Sequence, residues 1–108
     1  MYLCWARPSF AEGKQHIVKG IGELTCFDYR TETTFRDGIN TDLREWALGF
    51  ASAMNIERQK NNLRPKSLKF LTGDLVVQEV EHYCAHKTEE NGLVAAIKII
   101  YDSLPLAE

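Results

Sequence analysis

The stretch from Leu75 to Cys84 limits the possible folds most, because its apolar residues recur at helical spacing and its packed side ends in a cysteine. The chain has two other cysteines, Cys4 and Cys26, and only Cys26 lies inside a second plausible helix. We therefore predict that a Cys26–Cys84 disulfide holds a small helical core together. The residues alone leave open a pair of buried free thiols in a reducing compartment.

Composition indicates one globular domain. The chain has 108 residues, of which 44% are hydrophobic and 26% charged, enough to form a single core. Its net charge of −2 argues against generic nucleic-acid binding, which needs a basic surface. No apolar run approaches the roughly 18 residues that cross a membrane. We expect a single soluble helical domain over residues 12–108.

The first 11 residues differ from the rest. Ser9, Phe10 and Ala11 have the small-x-Ala form of a signal-peptidase site, and a polar stretch follows them. Residues 1–11 are therefore interpreted either as the remnant of a signal peptide or as a disordered arm. In the first case Cys4 is removed, and two cysteines remain to form a pair.

The first half of the domain predicts two helices. Thr25 can cap a short helix that begins at Cys26. A second and clearer helix follows, with Asn40 or Thr41 as its cap and a fading pattern after Asn55. Its Gly49 costs helix stability unless another backbone packs closely there, so we predict such a contact.

The second half predicts two further helices. Thr72 caps the third, and the fourth is an amphipathic stripe from Leu93 to Leu104 that ends before Pro105. The predicted fold is all-α, a compact bundle of about four helices tied by one long-range disulfide. The residues that we expect to pack its core are Trp46, Gly49, Phe50, Val80, Ile97 and Ile100.

A basic segment separates the second and third helices. Residues 57–69 carry five cations and the single acid Glu57, and Asn61, Asn62 and Pro65 predict a loop from which Leu63 reaches the core. Such a run is most often a solvated connection, and the alternative is a contact surface for an acidic partner. The candidate partner contacts are Arg58, Lys60, Arg64, Lys66 and Lys69. On that hypothesis Lys66→Glu weakens partner binding without unfolding the protein.

The sequence offers little evidence for an enzyme. His82 and His86 lie four residues apart on one helix face, and they need a third ligand from elsewhere to bind a metal firmly. Cys84 lies on the opposite, apolar side, where a nucleophilic thiolate is disfavoured. We therefore predict no catalytic residue, no metal and no cofactor. A metal-dependent enzyme or metal carrier that uses His82 and His86 is a third hypothesis, which a metal titration without saturable binding would remove.

Several short motifs follow one another in a recognisable order. They are Gly20-Ile21-Gly22, Leu24-Thr25-Cys26-Phe27-Asp28-Tyr29, a helix with Trp46, Gly49 and Phe50, and Val80-Glu81-His82-Tyr83-Cys84. The arrangement resembles a group of small secreted bacterial helical proteins with one disulfide. It is similar to the Rap/Tai immunity proteins, which neutralise type VI secretion peptidoglycan amidases. The layout also resembles the HdeA-like acid-stress chaperones of the periplasm.

This resemblance implies a periplasmic or secreted protein without enzymatic activity that binds another protein, either a toxin or a client. An immunity-type inhibitor is the first hypothesis and an acid-stress chaperone is the alternative. The resemblance also implies the Cys26–Cys84 bridge and a packing role for Trp46, Gly49 and Phe50. A homodimer is also compatible with this resemblance.

Overall fold

A computed structural model describes residues 18–35, 38–87 and 90–108. Within these ranges the chain forms a short 3-10 helix, Gly20–Glu23, and four α-helices. These are α1 (Cys26–Phe35), α2 (Ile39–Lys60), α3 (Gly73–Ala85) and α4 (Leu93–Ser103). The described residues contain isolated β-bridges but no strand, so the predicted all-α fold with four helices is confirmed. The predicted N-terminal arm, residues 1–11, lies outside the described ranges.

The core forms where α3 packs against both α2 and α4, and the 3-10 helix covers one side by contacting α2 and α4. The predicted core residues Val80, Ile97 and Ile100 are all buried. They belong to the same buried cluster as Leu43 and Leu93. None of the described helices combines the length and the apolar character needed to cross a membrane.

Side-chain caps start α1 and α3 at the predicted positions. The Thr25 hydroxyl accepts from the Asp28 backbone N–H at 3.1 Å, and the Asp28 carboxylate accepts from the Thr25 N–H at 3.2 Å. This reciprocal pair is the geometry of a capping box, with aspartate in the place of glutamate. At α3, the Thr72 hydroxyl accepts from the Leu75 N–H at 3.2 Å. Both helix starts are therefore encoded locally.

Helix α2 is longer than predicted at both ends. It begins at Ile39, after Gly38 in a left-handed conformation with φ of 87°, and not after a cap at Asn40 or Thr41. It passes through Asn55 and ends at Lys60. The predicted fading after Asn55 is wrong: the helix continues for five more residues, and the Asn55 amide bonds to tertiary partners described below.

A hydrogen-bonded cap after Lys60 ends α2. Asn62 has a positive φ of 61°, the Asn62 N–H donates to the Gln59 carbonyl at 3.1 Å, and the Leu63 N–H donates to the Arg58 carbonyl at 2.8 Å. These two bonds around a left-handed residue form a Schellman motif. The Asn61-Asn62 pair is therefore the end of the helix and not part of a long loop.

The disulfide between Cys26 and Cys84 is present, with a Cα–Cα distance of 5.3 Å and both residues buried. Backbone contacts surround it. The Cys26 N–H donates to the Asn91 carbonyl at 2.8 Å, and the Leu93 N–H donates to the Leu24 carbonyl at 2.9 Å. The disulfide and these hydrogen bonds therefore fix the start of α1 to the end of α3 and to the α3–α4 connection.

The predicted packing role of Gly49 is wrong. Gly49 is exposed, and a Cβ atom built there meets nothing within 4 Å. Trp46 and Phe50 are half-buried against the core, with stacked rings 5.6 Å apart. A glycine that does allow close packing is Gly22, since a Cβ there would collide with the indole of Trp46. The Trp46 Nε1–H donates to the Lys19 carbonyl at 2.8 Å, which fixes the ring over the 3-10 helix.

Candidate partner-binding surface

The five predicted partner contacts do not form one free basic surface. Arg58 lies on the last turn of α2, and its Nε–H donates to the Arg64 carbonyl at 2.6 Å. Lys60 is exposed on the same turn, 3.9 Å from a carboxylate oxygen of Glu57. Arg58 is therefore a structural residue that fixes the exit of the helix.

Lys66 also makes structural contacts and is not a free cation. Its ammonium donates to the carbonyls of Asp102 at 2.8 Å and Leu104 at 2.9 Å. These carbonyls are at the C-terminal end of α4, where the helix dipole favours a cation. The ammonium also lies 5.7 Å from the centroid of the Tyr101 ring. Reversing this charge would break the cap of α4.

Asn55 links three elements through its amide group. Its Oδ1 accepts from the Lys66 backbone N–H at 2.8 Å and from the Tyr101 hydroxyl at 2.6 Å. Its Nδ2 donates to the Lys66 carbonyl at 2.9 Å. Burial is the main reason that the pKa of Tyr101 is raised, so its hydroxyl remains a donor. We call Asn55, Lys66 and Tyr101 the amide cluster.

The sequence contained a signal for this cluster that we did not use. Leu43, Ala47, Ala51 and Asn55 follow one another at intervals of four, and the first three are buried. An amide that continues the buried face of a helix needs hydrogen-bond partners. Its partners lie 11 and 46 positions away along the chain, and periodicity cannot identify them.

The chain end pairs with the loop after α2. The Ser67 N–H donates to the Pro105 carbonyl at 2.7 Å, and the Ala107 N–H donates to the Pro65 carbonyl at 2.8 Å. These bonds flank an antiparallel bridge between Lys66 and Leu106. Opposite residues of such a non-hydrogen-bonded pair have close side chains. The side chains of Lys66 and Leu106 are therefore expected on the same face of this bridge.

The exposed side chains of this region combine apolar and basic groups. Phe70 is 62% exposed, Leu63 is 51% exposed and Leu106 is 46% exposed. Arg64 and Lys69 are exposed and adjoin Leu63 and Phe70 in the sequence, and the Lys69 ammonium lies 5.4 Å from the centroid of the Phe70 ring. We call Leu63, Arg64, Lys69, Phe70 and Leu106 the basic–apolar surface. The predicted burial of Leu63 is wrong, since Leu68 and Leu71 pack against the core in its place.

His82 and His86 lie on the exposed side of α3, and Cys84 is turned into the core by its disulfide. Within the described ranges, no group of three or more His, Cys, Asp or Glu side chains is placed to hold a metal ion. The two imidazole rings are close, with centroids 4.5 Å apart.

Tyr29 has the largest pKa shift near the disulfide. Burial, with a smaller contribution from the charge of Glu81, raises the pKa of Tyr29 to about 12. Its hydroxyl donates to Oδ1 of Asn40 at 2.9 Å, which joins α1 to α2. The shift follows from packing in the core, and this tyrosine acts as a structural donor at neutral pH.

No family model, curated protein or solved structure matches this chain. The chemistry of the basic–apolar surface and the family resemblance of the short sequence motifs are therefore the two guides to function.

Proposed function

We propose that this protein is a periplasmic or secreted binding protein without enzymatic activity, and that it covers an acidic surface of a partner protein. The observation that carries this proposal is the exposure of Leu63 and Phe70 beside Arg64 and Lys69. Residues 61–72 contain no aspartate or glutamate. An acidic partner with an apolar centre therefore complements this surface in both charge and polarity.

The way in which the loop is held supports this role. The amide cluster and the bridge to Leu106 fix the backbone at Lys66, which lies between Arg64 and Phe70 in the chain. A surface that is ordered before binding loses less conformational entropy in the complex. Aromatic and arginine side chains also supply a large share of the binding energy in protein interfaces. Phe70 and Arg64 are therefore the proposed anchors.

The sharper form of the proposal is an immunity-type inhibitor of a secreted toxin such as a peptidoglycan amidase. The resemblance to the Rap/Tai proteins supports it, and the disulfide is consistent with an oxidising compartment. Such an inhibitor acts by steric exclusion: it covers the entrance to the amidase active site and needs no catalytic group of its own.

The test measures inhibition and affinity against the secreted peptidoglycan amidases encoded in the same genome. Arg64→Glu, Lys69→Glu and Phe70→Ala should each weaken binding at least about tenfold, as expected for anchors of an interface. The matched control is Lys87→Glu, the same charge reversal near the disulfide, which should leave the affinity unchanged. Equal affinity across all four variants would remove this surface from the proposal, and no inhibition of any amidase would remove the immunity role.

The alternative role is an HdeA-like chaperone, which exposes apolar surface in acid. One contact favours it: the Asp28 carboxylate caps the short helix α1 next to Phe27, which is already 56% exposed. Loss of the carboxylate charge in acid would weaken that cap. We place this role second because no acidic side chain is buried in the described ranges. Dye binding and client protection at about pH 2 to 3, where free carboxylates with pKa values near 4 are protonated, would favour the chaperone.

A further inference from the structure

We propose that the groove between α3 and α4 binds a divalent transition-metal ion through His82 and His86. This groove has a volume of about 310 Å³, and Glu79, Tyr83 and Ile99 also line it. None of the residues that line the groove belongs to the basic–apolar surface. The proposal is therefore independent of the proposed partner-binding function.

The two histidines are placed as a chelating pair. They are four residues apart on α3, so they share one face of the helix. Their ring centroids are 4.5 Å apart, the planes are inclined by 44°, and both residues are exposed. Imidazole nitrogen is a preferred ligand of Zn²⁺, Ni²⁺ and Cu²⁺. One ion can therefore bind both rings after small side-chain rotations.

The hydrogen bond of His86 assigns its ligand atom. Its Nδ1 lies 2.9 Å from the carbonyl oxygen of His82. A carbonyl oxygen only accepts, so Nδ1 of the neutral ring carries the proton and Nε2 keeps its lone pair. Metal-binding histidines typically donate their other N–H to such an oxygen, which fixes the tautomer and the orientation of the ring. We infer that His86 binds the ion through Nε2.

The surrounding charges favour a cation over an anion. Helix α3 ends at Ala85, so both rings lie at its C-terminal end, where the helix dipole is negative. Glu79 adds a carboxylate one turn before His82. The positive charge of Lys87, which also lines the groove, repels a bound cation. Its ammonium lies over the ring of Tyr83, 5.8 Å from the centroid. Since no third ligand converges in the described ranges, water would complete the coordination of the ion.

A titration with Zn²⁺ tests the site directly. Nitrogen NMR of the imidazole rings should show His82 and His86 changing together along one binding curve, with one ion per chain. The Nε2 signal of His86 should shift as a ligand nitrogen does, while its Nδ1 keeps the proton. No saturable binding, or coordination through Nδ1 of His86, would overturn the proposal.

Single substitutions test whether His82 and His86 are the ligands. His82→Ala and His86→Ala should each lower the affinity for Zn²⁺ at least about tenfold, since even the loss of a supporting contact around a metal costs 10–100-fold. His16→Ala is the matched control and should leave it unchanged. Lys87→Ala should raise the affinity by removing the opposing charge. Unchanged binding in either His82→Ala or His86→Ala would contradict the proposed chelate.

Discussion

The two ends of the α3–α4 pair are held together by different chemistry. At one end the Cys26–Cys84 disulfide ties α1 to the end of α3. At the other end the amide cluster of Asn55, Lys66 and Tyr101 joins α2, the following loop and α4 by hydrogen bonds. The first constraint acts largely on the unfolded chain, whereas the second depends on the local folded geometry.

This difference explains where a binding surface can form. The disulfide end closes a separation of 58 residues and buries both sulfur atoms, so it contributes mainly stability. The amide cluster positions a loop whose outer side chains remain exposed. A loop held by hydrogen bonds on its inner side can present Arg64 and Phe70 outward without disturbing the core.

Removal of the disulfide should have the largest effect on stability. Replacing Cys26 and Cys84 with serine should lower the free energy of unfolding by about 4 kcal/mol, because the unfolded chain regains the entropy of a long open loop. Urea denaturation measures this change. Cys4→Ser is the matched control and should change stability little. A loss below about 1 kcal/mol would show that the disulfide contributes less to the free energy of unfolding than we infer.

The next largest effect should come from Asn55→Ala, which removes three hydrogen bonds and should cost about 3 kcal/mol. Asn61→Ala removes an exposed amide that bonds to Glu57 on the same helix end, and should change stability by less than about 0.5 kcal/mol. Hydrogen exchange adds a local readout. The Lys66 amide should lose protection from exchange in the Asn55→Ala variant, while the Cys26 amide keeps it. An equal loss at both amides would refute the inference that the two ends of the α3–α4 pair are stabilised independently.

Charge reversal should separate the structural lysine from the exposed one. Lys66→Glu should cost about 2 kcal/mol, because it removes charge-assisted bonds to two carbonyls and places a carboxylate against them. Lys69→Glu should stay within about 0.5 kcal/mol, because Lys69 is exposed. Thermal and urea unfolding of the two variants checks this contrast. Similar losses for both would mean that the loop is held differently from the contacts described here.

The smallest effect should be a gain from Gly49→Ala, about 0.5–1 kcal/mol, because Gly49 lies inside a helix with space for a Cβ. The gain should be the same in the wild type and in the Asn55→Ala variant, since Gly49 has no part in the amide cluster. Gly22→Ala is the contrasting control and should lose stability against Trp46. A loss of stability in Gly49→Ala would instead support the close backbone contact at Gly49 that the sequence predicted.

The helix starts and the apolar faces could be predicted because they depend on neighbours in the chain. Thr25 and Thr72 cap the helices that follow them, and the stripe of α4 is buried as its spacing indicates. The role of the basic segment in partner binding stays a prediction. Arg58 and Lys66 look like free cations in the sequence, but their partners in the fold are backbone carbonyls.

The sequence by itself determined the all-α class, the caps and the apolar faces, because these depend on contacts within a few residues. Its two isolated, well-placed cysteines also indicated the long-range bridge. Only the tertiary structure decided the length of α2, the exposure of Gly49 and Leu63, and the fixed position of Lys66. Each of these depends on which distant atom meets a polar group or fills a space, and local periodicity carries no information about such partners.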